Sequence, residues 1–144
     1  MEQIPELKPY THTVQYYETD KMGVVHHSNY IRWMEEARID FFDQIGWSYK
    51  AFEDAGLISP VTAVQCRYKH TSTFGDRISV MIHVVQFRNV RLTLGYTMRN
   101  EAGAVVCEGQ SEHCFLDGSG QIVRLNREYP AFAEILTQMQ QDAK

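Results

Sequence analysis

Several features that mark common classes of protein are missing from this sequence. It has no apolar run of about 18 residues, the length that a membrane-spanning helix needs. Its opening segment, MEQIPELKPYTH, has neither a basic cluster nor an apolar stretch of the kind that directs secretion. The cysteines, Cys66, Cys107 and Cys114, are odd in number and show no C-x-x-C spacing, which argues against a disulfide framework or a thiolate metal site. We therefore expect a cytoplasmic protein without a membrane span.

Positive charge is also in short supply. The chain has 14 Lys and Arg against 18 Asp and Glu, a net charge of −4, and this balance disfavours general nucleic-acid binding because phosphate contacts need clustered cations. A small anionic ligand at a local basic patch stays open. Low-complexity segments, repeats and linker-like runs are absent, and 144 residues that are 44% hydrophobic suit a single domain over residues 1–144.

The first quarter of the chain predicts a strand, a turn and a long helix. The segment YTHTVQYYE is rich in Tyr, Thr and Val, which predicts an opening strand that ends near Glu18. After a turn at Gly23, Ser28 or Asn29 can cap a helix that Gly46 can end. The apolar residues of this helix recur at helical spacing and form a broad stripe: Tyr30, Met34, Ala37, Phe41 and Ile45, widened by Ile31, Trp33 and Phe42.

The rest of the chain predicts an antiparallel sheet and a last helix. A short helix in SYKAFEDAG closes at Gly56, and period-two patterns follow in VTAVQCRYK, ISVMIHVVQF, RLTLGYTMR and VVCEGQSEHCFL, joined by short turns. Pro130 can open a terminal helix whose apolar stripe is Phe132, Ile135, Leu136 and Met139. One long helix and one sheet must bury their apolar faces together, which predicts an α+β domain with the sheet curved around the helix.

One stretch resembles a known family. YYETDKMGVVHHSNYIRWMEEAR is similar to the signature of the 4-hydroxybenzoyl-CoA thioesterase-like branch of hotdog proteins, which includes short bacterial acyl-CoA thioesterases. The matching residues are Thr19, Asp20, Gly23, Val24, Val25, His27, Asn29 and Tyr30. A second segment, YKHTSTFGD, is similar to a further part of the pattern, with Thr71 and Ser72 where a Pro-Ala pair is common. The resemblance implies a hotdog fold with five to six strands around one central helix.

The chemistry that this resemblance implies is hydrolysis of an acyl- or aroyl-CoA thioester. Such a reaction needs a nucleophile or a base for water, and a group that polarises the carbonyl. Asp20 can act either as the nucleophile or as the base for water. The backbone amide of His27, at the start of the helix, can polarise the carbonyl. The expected substrate-binding residues are Gly23, Val24, Asn29 and Tyr30.

The resemblance implies neither a metal nor a redox cofactor. His26 and His27 are neighbours that point in different directions, and no third residue has ligand spacing. Coenzyme A carries phosphates, so we expect Arg88 and Arg91, which bracket the FRNVR hairpin, to bind it, with Lys69 as a further candidate. Hotdog domains pair their open sheet edges, which implies a homodimer or homotetramer whose sites are completed by a neighbouring chain.

Three alternatives remain open. Glu35 or Glu36 can replace Asp20, because some hotdog thioesterases use a carboxylate on the helix. The chain can instead be a hotdog dehydratase acting on an acyl thioester, although the Thr19-Asp20 pair argues against this. It can also be a non-catalytic protein that binds acyl-CoA or an acyl carrier.

Overall fold

Five antiparallel strands and four helices lie within residues 6–142, which the computed structural model describes, with side chains through residue 140. The ends of the predicted domain, residues 1–5 and 143–144, lie outside this range. The strands are β1 (Tyr10–Thr13), β2 (Val61–Tyr68), β3 (Arg77–Arg88), β4 (Arg91–Arg99) and β5 (Val105–Cys114). They form one sheet in the order β1-β3-β4-β5-β2, which confirms the predicted antiparallel α+β arrangement.

The long helix packs its apolar stripe against the sheet. The helices are α1 (Ser28–Gln44), α2 (Tyr49–Ala55), α3 (Leu125–Glu128) and α4 (Pro130–Asp142). All the predicted stripe residues of α1 are buried except Ile31, which is 42% exposed. Gly46, with φ +88°, ends α1 as predicted, since its left-handed backbone turns the chain away from the helix.

Two predictions near the start of the chain are wrong. The opening strand ends at Thr13, and a short 3-10 turn follows because the Glu18 carboxylate accepts the Gln15 N–H at 2.8 Å and curls the chain. Neither Ser28 nor Asn29 caps α1, whose N-cap is His27. The Ser28 hydroxyl instead pairs with the His26 ring at 2.9 Å, and the Asn29 amide donates to the Glu18 carbonyl at 2.9 Å.

The interior strands bury the faces that their alternation predicts. The buried residues are Ile78, Val80, Ile82 and Val84 of β3, and Leu92, Leu94, Tyr96 and Met98 of β4. Strand β2 behaves differently, because it pairs only with β5 and stands at the edge of the sheet. Its side chains are exposed along nearly the whole strand, including Val64 and Tyr68. One edge of the sheet therefore offers eight residues of backbone to another strand.

No helix in the part of the chain that the structure describes is long and apolar enough to cross a membrane.

Candidate functional site

A tight turn presents Asp20 just before the start of α1. The Asp20 N–H donates to the Val24 carbonyl at 2.8 Å, and the Gly23 N–H donates to the Asp20 carbonyl at 2.9 Å. Gly23 has φ +79°, a left-handed conformation that residues with a Cβ adopt only at a cost. Thr19 and Val25 form an isolated bridge that closes the base of the turn. The predicted role of Gly23 in shaping this turn agrees with its backbone.

The Asp20 carboxylate lines a cavity of about 350 Å³. Its Oδ1 accepts the Met22 N–H at 2.8 Å, whereas no donor among residues 6–142 reaches its Oδ2. Val24, His27 and Tyr30 line the same cavity, so the structure brings four of the predicted site residues together. One carboxylate oxygen is held by the turn, and the other is left for a substrate or a water molecule.

The start of α1 provides a backbone donor on a residue that lines the same cavity as Asp20. Among the described residues, the N–H of His27 has no protein acceptor, while the next amide, that of Ser28, donates to His26 Nδ1 at 3.2 Å. The expectation that His26 and His27 point in different directions is wrong, because their rings stack at a centroid distance of 4.3 Å. The His27 ring makes no hydrogen bond with Asp20. His27 therefore presents its backbone N–H at the positive end of the helix dipole. Its ring does not orient Asp20.

Two tyrosines also line the cavity. The Tyr30 hydroxyl donates to Ser72 Oγ at 3.2 Å, and the Tyr68 hydroxyl donates to the His27 carbonyl at 3.3 Å. Burial raises the pKa of Tyr30. Tyr68 is partly exposed, but partial desolvation together with the charge of Cys66 raises the pKa of Tyr68 to about 12. Both hydroxyls consequently stay protonated near neutral pH and can act as donors, not as bases. Tyr68 opens the second segment that resembles the family pattern, but its contact with the start of α1 depends on the sheet and no sequence pattern predicts it.

Gly23 and Asn29 shape the site without lining the cavity. Besides its bond to the Glu18 carbonyl, the Asn29 amide lies 3.4 Å from the His26 carbonyl. It thereby ties the first turn of α1 to the chain on either side of the Asp20 turn. These hydrogen bonds, which hold the turn, explain why Asn29 is part of the matching motif.

The buried carboxylate of Glu18 supports the Asp20 turn, although no sequence pattern singles it out. Glu18 is 4% exposed and accepts hydrogen bonds at 2.8 Å from His12 Nε2, the Gln15 N–H and Trp33 Nε1. Burial acts to raise the pKa of Glu18, but these hydrogen bonds outweigh it and the pKa is lowered. No local pattern distinguishes Glu18 from a solvated acid, because two of its partners come from β1 and α1.

The rival carboxylates of α1 do not line the Asp20 cavity. Glu36 accepts the Tyr10 hydroxyl at 2.6 Å and lies 3.3 Å from His12 Nδ1. Glu35 is exposed and borders a different cavity between α1 and α2. The geometry favours Asp20 over both as the acid at the start of the helix.

The predicted arginines lie far from Asp20 within one chain. The Asp20 turn contacts the segment just before β3, where the Ser72 carbonyl accepts the Val25 N–H at 2.8 Å. Arg88 is the last of the 12 residues of β3, roughly 36 Å from the start of the strand, and it pairs with Arg91 across the hairpin. Lys69 instead lines the Asp20 cavity, with its Nζ 3.7 Å from Glu108.

Within residues 6–142, no group of three or more His, Cys, Asp or Glu side chains is placed to hold a metal ion.

Comparison with known proteins identifies the family. Residues 14–140 match the thioesterase-like superfamily. The chain belongs to this superfamily. The DHNA-CoA thioesterase of Staphylococcus aureus has a structure similar to this one, with a TM-score of 0.88 and 31% identity over 94% of each chain. The predictions of a hotdog fold and of a thioesterase-type hydrolase are therefore confirmed.

Two relatives of this thioesterase chain carry more specific names. A 1,4-dihydroxy-2-naphthoyl-CoA hydrolase from Thermosynechococcus vestitus is 36% identical over 111 residues, which is 76% of each chain. A putative acyl-CoA thioesterase, YneP, from Bacillus subtilis is 33% identical over 104 residues, 72% of this chain and 75% of the relative.

Proposed function

We propose that this protein hydrolyses an acyl-CoA thioester to the free acid and coenzyme A, using Asp20 and the start of α1. The observation that carries the proposal is that Asp20 and His27 line one cavity, where within residues 6–142 the Asp20 Oδ2 has no donor and the His27 N–H has no acceptor. The relatives named for acyl-CoA and 1,4-dihydroxy-2-naphthoyl-CoA support coenzyme A thioesters as the substrate class, and aroyl groups within it.

Asp20 supplies the electron pair that opens the reaction. In one route its carboxylate attacks the thioester carbon, forms a mixed anhydride and expels the thiolate, and water then hydrolyses the anhydride. In the other, it takes a proton from a water molecule that attacks the same carbon. Both routes place negative charge on the carbonyl oxygen, and the His27 N–H at the positive end of α1 stabilises that charge.

The remaining site residues hold and shape the substrate. Val24 and Tyr30 line the cavity beside Asp20, while Gly23 and Asn29 keep the turn in place. The Tyr68 hydroxyl holds the His27 carbonyl and so fixes the peptide that precedes the helix.

Assembly of two chains would bring the predicted arginines to the nucleotide. If the β2 edges of two chains pair antiparallel, the two sheets join into one. Each strand of the second chain then runs in the direction opposite to the equivalent strand of the first. The hairpin with Arg88 and Arg91 of one copy then lies at the same end of the joined sheet as Asp20 of the other. We therefore propose that these arginines bind coenzyme A phosphates in the neighbouring chain's site.

A thiol-release assay across aliphatic and aromatic acyl-CoAs tests this function, with Asp20→Asn as the decisive variant. Because the amide keeps the shape but neither attacks nor accepts a proton, turnover should fall by about 10²-fold or more with little change in unfolding. Glu35→Gln and Glu36→Gln are the matched controls and should retain activity. Near-parental turnover of Asp20→Asn, with loss in a glutamate variant, would move the catalytic role to the helix.

The same screen separates the other two functions. Release of water from a hydroxyacyl thioester without thiol release would identify a dehydratase. Tight acyl-CoA binding with no thiol release from any substrate would identify a binding protein.

A further inference from the structure

Two cysteines and a methionine lie close together between α1 and the sheet. The Cys66 thiol of β2 donates to Met34 Sδ of α1 at 3.5 Å. Gly109 of β5 lies opposite Cys66, and a Cβ there would come within 3.1 Å of Met34 Sδ, so the thioether packs against the bare backbone of this glycine. Cys107, two residues before Gly109 on the same strand, is fully buried. The proposed chemistry at Asp20 uses none of these sulfur atoms.

The two thiols are diagonal neighbours on one face of the sheet. Tyr68 pairs with Cys107 across β2 and β5, and Cys66 lies two residues before Tyr68. Residues two apart on a strand share a face, so all three side chains point to the side that carries α1. The thiols also interact directly, because their hydrogen bond lowers the pKa of Cys66 and raises the pKa of Cys107.

The two cysteines differ in how readily they react with an oxidant. Cys66 is half-buried, whereas Cys107 is fully buried. The thiolate is the nucleophile in such a reaction, so the lowered pKa of Cys66 favours its attack and the raised pKa of Cys107 keeps that thiol protonated. A small oxidant therefore reacts first with Cys66, and Cys107 is placed to react with the product. Cys114, the third cysteine, pairs with Arg91 at the other end of β5.

A bond between these two thiols requires a shift of the strands. Diagonal neighbours in a sheet lie about 7–8 Å apart at Cα, whereas a disulfide usually spans about 4.4–6.8 Å. Within one chain β2 pairs only with β5, so it is the strand that can move. Its last residue is Tyr68, which lines the Asp20 cavity and holds the His27 carbonyl at 3.3 Å. Movement of β2 towards β5 would thus reach the start of α1.

We propose that Cys66 and Cys107 are a redox pair, which hydrogen peroxide oxidises to a disulfide that shifts Tyr68 and lowers activity at Asp20. The Cys66 thiolate attacks one peroxide oxygen, the O–O bond breaks, and hydroxide leaves and takes up the proton that Cys66 released. The Cys107 sulfur then attacks the sulfur of the Cys66 sulfenic acid, and its proton leaves with the displaced hydroxyl group as water. Two thiols thereby lose two electrons and two protons, and the peroxide becomes two water molecules.

The disulfide is reversible, because a dithiol reduces it by exchange. Its effect on activity rests on the proposed thioesterase function, whereas its formation does not. The two parts of the proposal are therefore tested separately.

Cysteine mapping tests whether the pair forms. The reduced full-length protein is treated with hydrogen peroxide and unfolded, and its free thiols are counted: three should fall to one, with Cys66 joined to Cys107 in the peptide map. Cys107→Ala should stop at a sulfenic acid on Cys66 that dimedone labels, and Cys114→Ser, the matched control, should still form the bond. Retention of all three thiols, a bond to Cys114, or a bond between chains would overturn the pair.

A second experiment measures the effect on the site. Hydrolysis of one acyl-CoA is followed by the loss of thioester absorbance, so that added reductant does not interfere. Oxidation should lower turnover by about 10-fold or more, because displacement of a positioning group by about 1 Å can cost about 10²-fold. Dithiothreitol should restore the activity of the parental protein and of Cys114→Ser. Cys66→Ser should have the same activity before and after peroxide.

The outcomes separate this proposal from the proposed function. A disulfide with unchanged activity would overturn the link to Asp20. A loss that persists in Cys66→Ser, or that dithiothreitol does not reverse, would assign the effect to another oxidised group, such as Met34, and overturn the switch. If the reduced protein hydrolyses no acyl-CoA, the thioesterase function fails, and the cysteine map still decides whether Cys66 and Cys107 form a pair.

Discussion

Glu18 illustrates how a single buried carboxylate can hold the turn that carries Asp20 in place. It joins β1 through His12, the 3-10 turn through the Gln15 N–H, and α1 through Trp33. Hydrogen bonds to a charged group in a buried setting are among the strongest in a domain of this size. The backbone of Asp20, two residues away, is therefore anchored from three elements before any substrate arrives.

We expect Glu18→Gln to lower the free energy of unfolding by about 2–3 kcal/mol at pH 7, because a Gln amide would face donors that the carboxylate accepts. The pKa of Glu18 is lowered in the folded chain, so its contribution is complete above the ordinary value of 4.5 and is lost as the pH falls through the lowered folded pKa. Urea unfolding of both proteins from pH 7 to pH 3 measures this. The difference should shrink at acid pH, and Glu101→Gln, in an exposed turn, should show no difference at any pH.

The element that carries the site is the junction of the Asp20 turn and α1. The Val25 N–H donates to the Ser72 carbonyl at 2.8 Å, and Thr73 Oγ1 donates to the Gly23 carbonyl at 2.9 Å, so the segment before β3 braces the turn. The helix start and the carboxylate are thereby held at a fixed separation. Preorganised donors of this kind need no rearrangement as charge develops in the reaction.

Gly23→Ala tests how much activity depends on this geometry, and Gly103→Ala is its matched control. Gly23 and Gly103 have φ +79° and +85°, and a Cβ would meet no atom within 4 Å at either position. Each substitution should cost about 1 kcal/mol of stability through backbone strain alone. Only Gly23→Ala should also lower kcat, because relief of its strain moves the Asp20 turn. Equal kcat values for the two variants, measured on one acyl-CoA well below their melting temperatures, would show that the turn tolerates the shift.

At the scale of the whole molecule, the exposed β2 edge is the feature that a single chain leaves incomplete. A long edge strand with unpaired backbone groups and apolar side chains such as Val64 and Tyr68 favours pairing with a second copy. We expect an assembly of at least two chains, with a tetramer as the full form.

Val64→Asp should weaken this assembly and reduce activity together, because a charge at the centre of the paired edge is repelled by its symmetry mate. Light scattering at micromolar concentration should give a smaller mass for Val64→Asp than for the parental protein, closer to the mass of one chain. Val85→Asp changes a similarly exposed valine, 38% against 41%, on an interior strand and should leave the edge pairing intact. A parental protein that is monomeric and fully active would contradict the shared site.

The two arginines of the β3–β4 hairpin give a further prediction at this scale. Replacing Arg88 and Arg91 with Ala should mainly raise KM for acyl-CoA, and more at low salt than at high salt, since exposed charges are screened. A thioester carrying only the pantetheine arm lacks the nucleotide phosphates, so its hydrolysis should respond little. Equal losses for the two substrates would mean that the arginines support the fold or the catalytic centre and do not bind the nucleotide.

The sequence by itself determined most of the helices and strands of this protein and the place of the Asp20 turn. Helical and strand periods are local properties, so the stripe of α1 and the alternation in β3 and β4 were predicted with their buried faces. Asp20, Gly23 and the start of α1 are also neighbours in the chain, and their relative geometry depends on a few backbone angles. A motif of this kind can be recognised in the sequence because its residues lie within about ten positions of one another.

Only the tertiary structure decided what these residues touch. The partners of Glu18 come from three elements, the exposure of β2 follows from its place at the edge, and the distance from Asp20 to Arg88 follows from the length of β3. Arg38 likewise gained its position beside an aromatic cavity through the packing of α2 against α1. Contacts between residues distant in sequence depend on how the elements pack, and no local period encodes that packing.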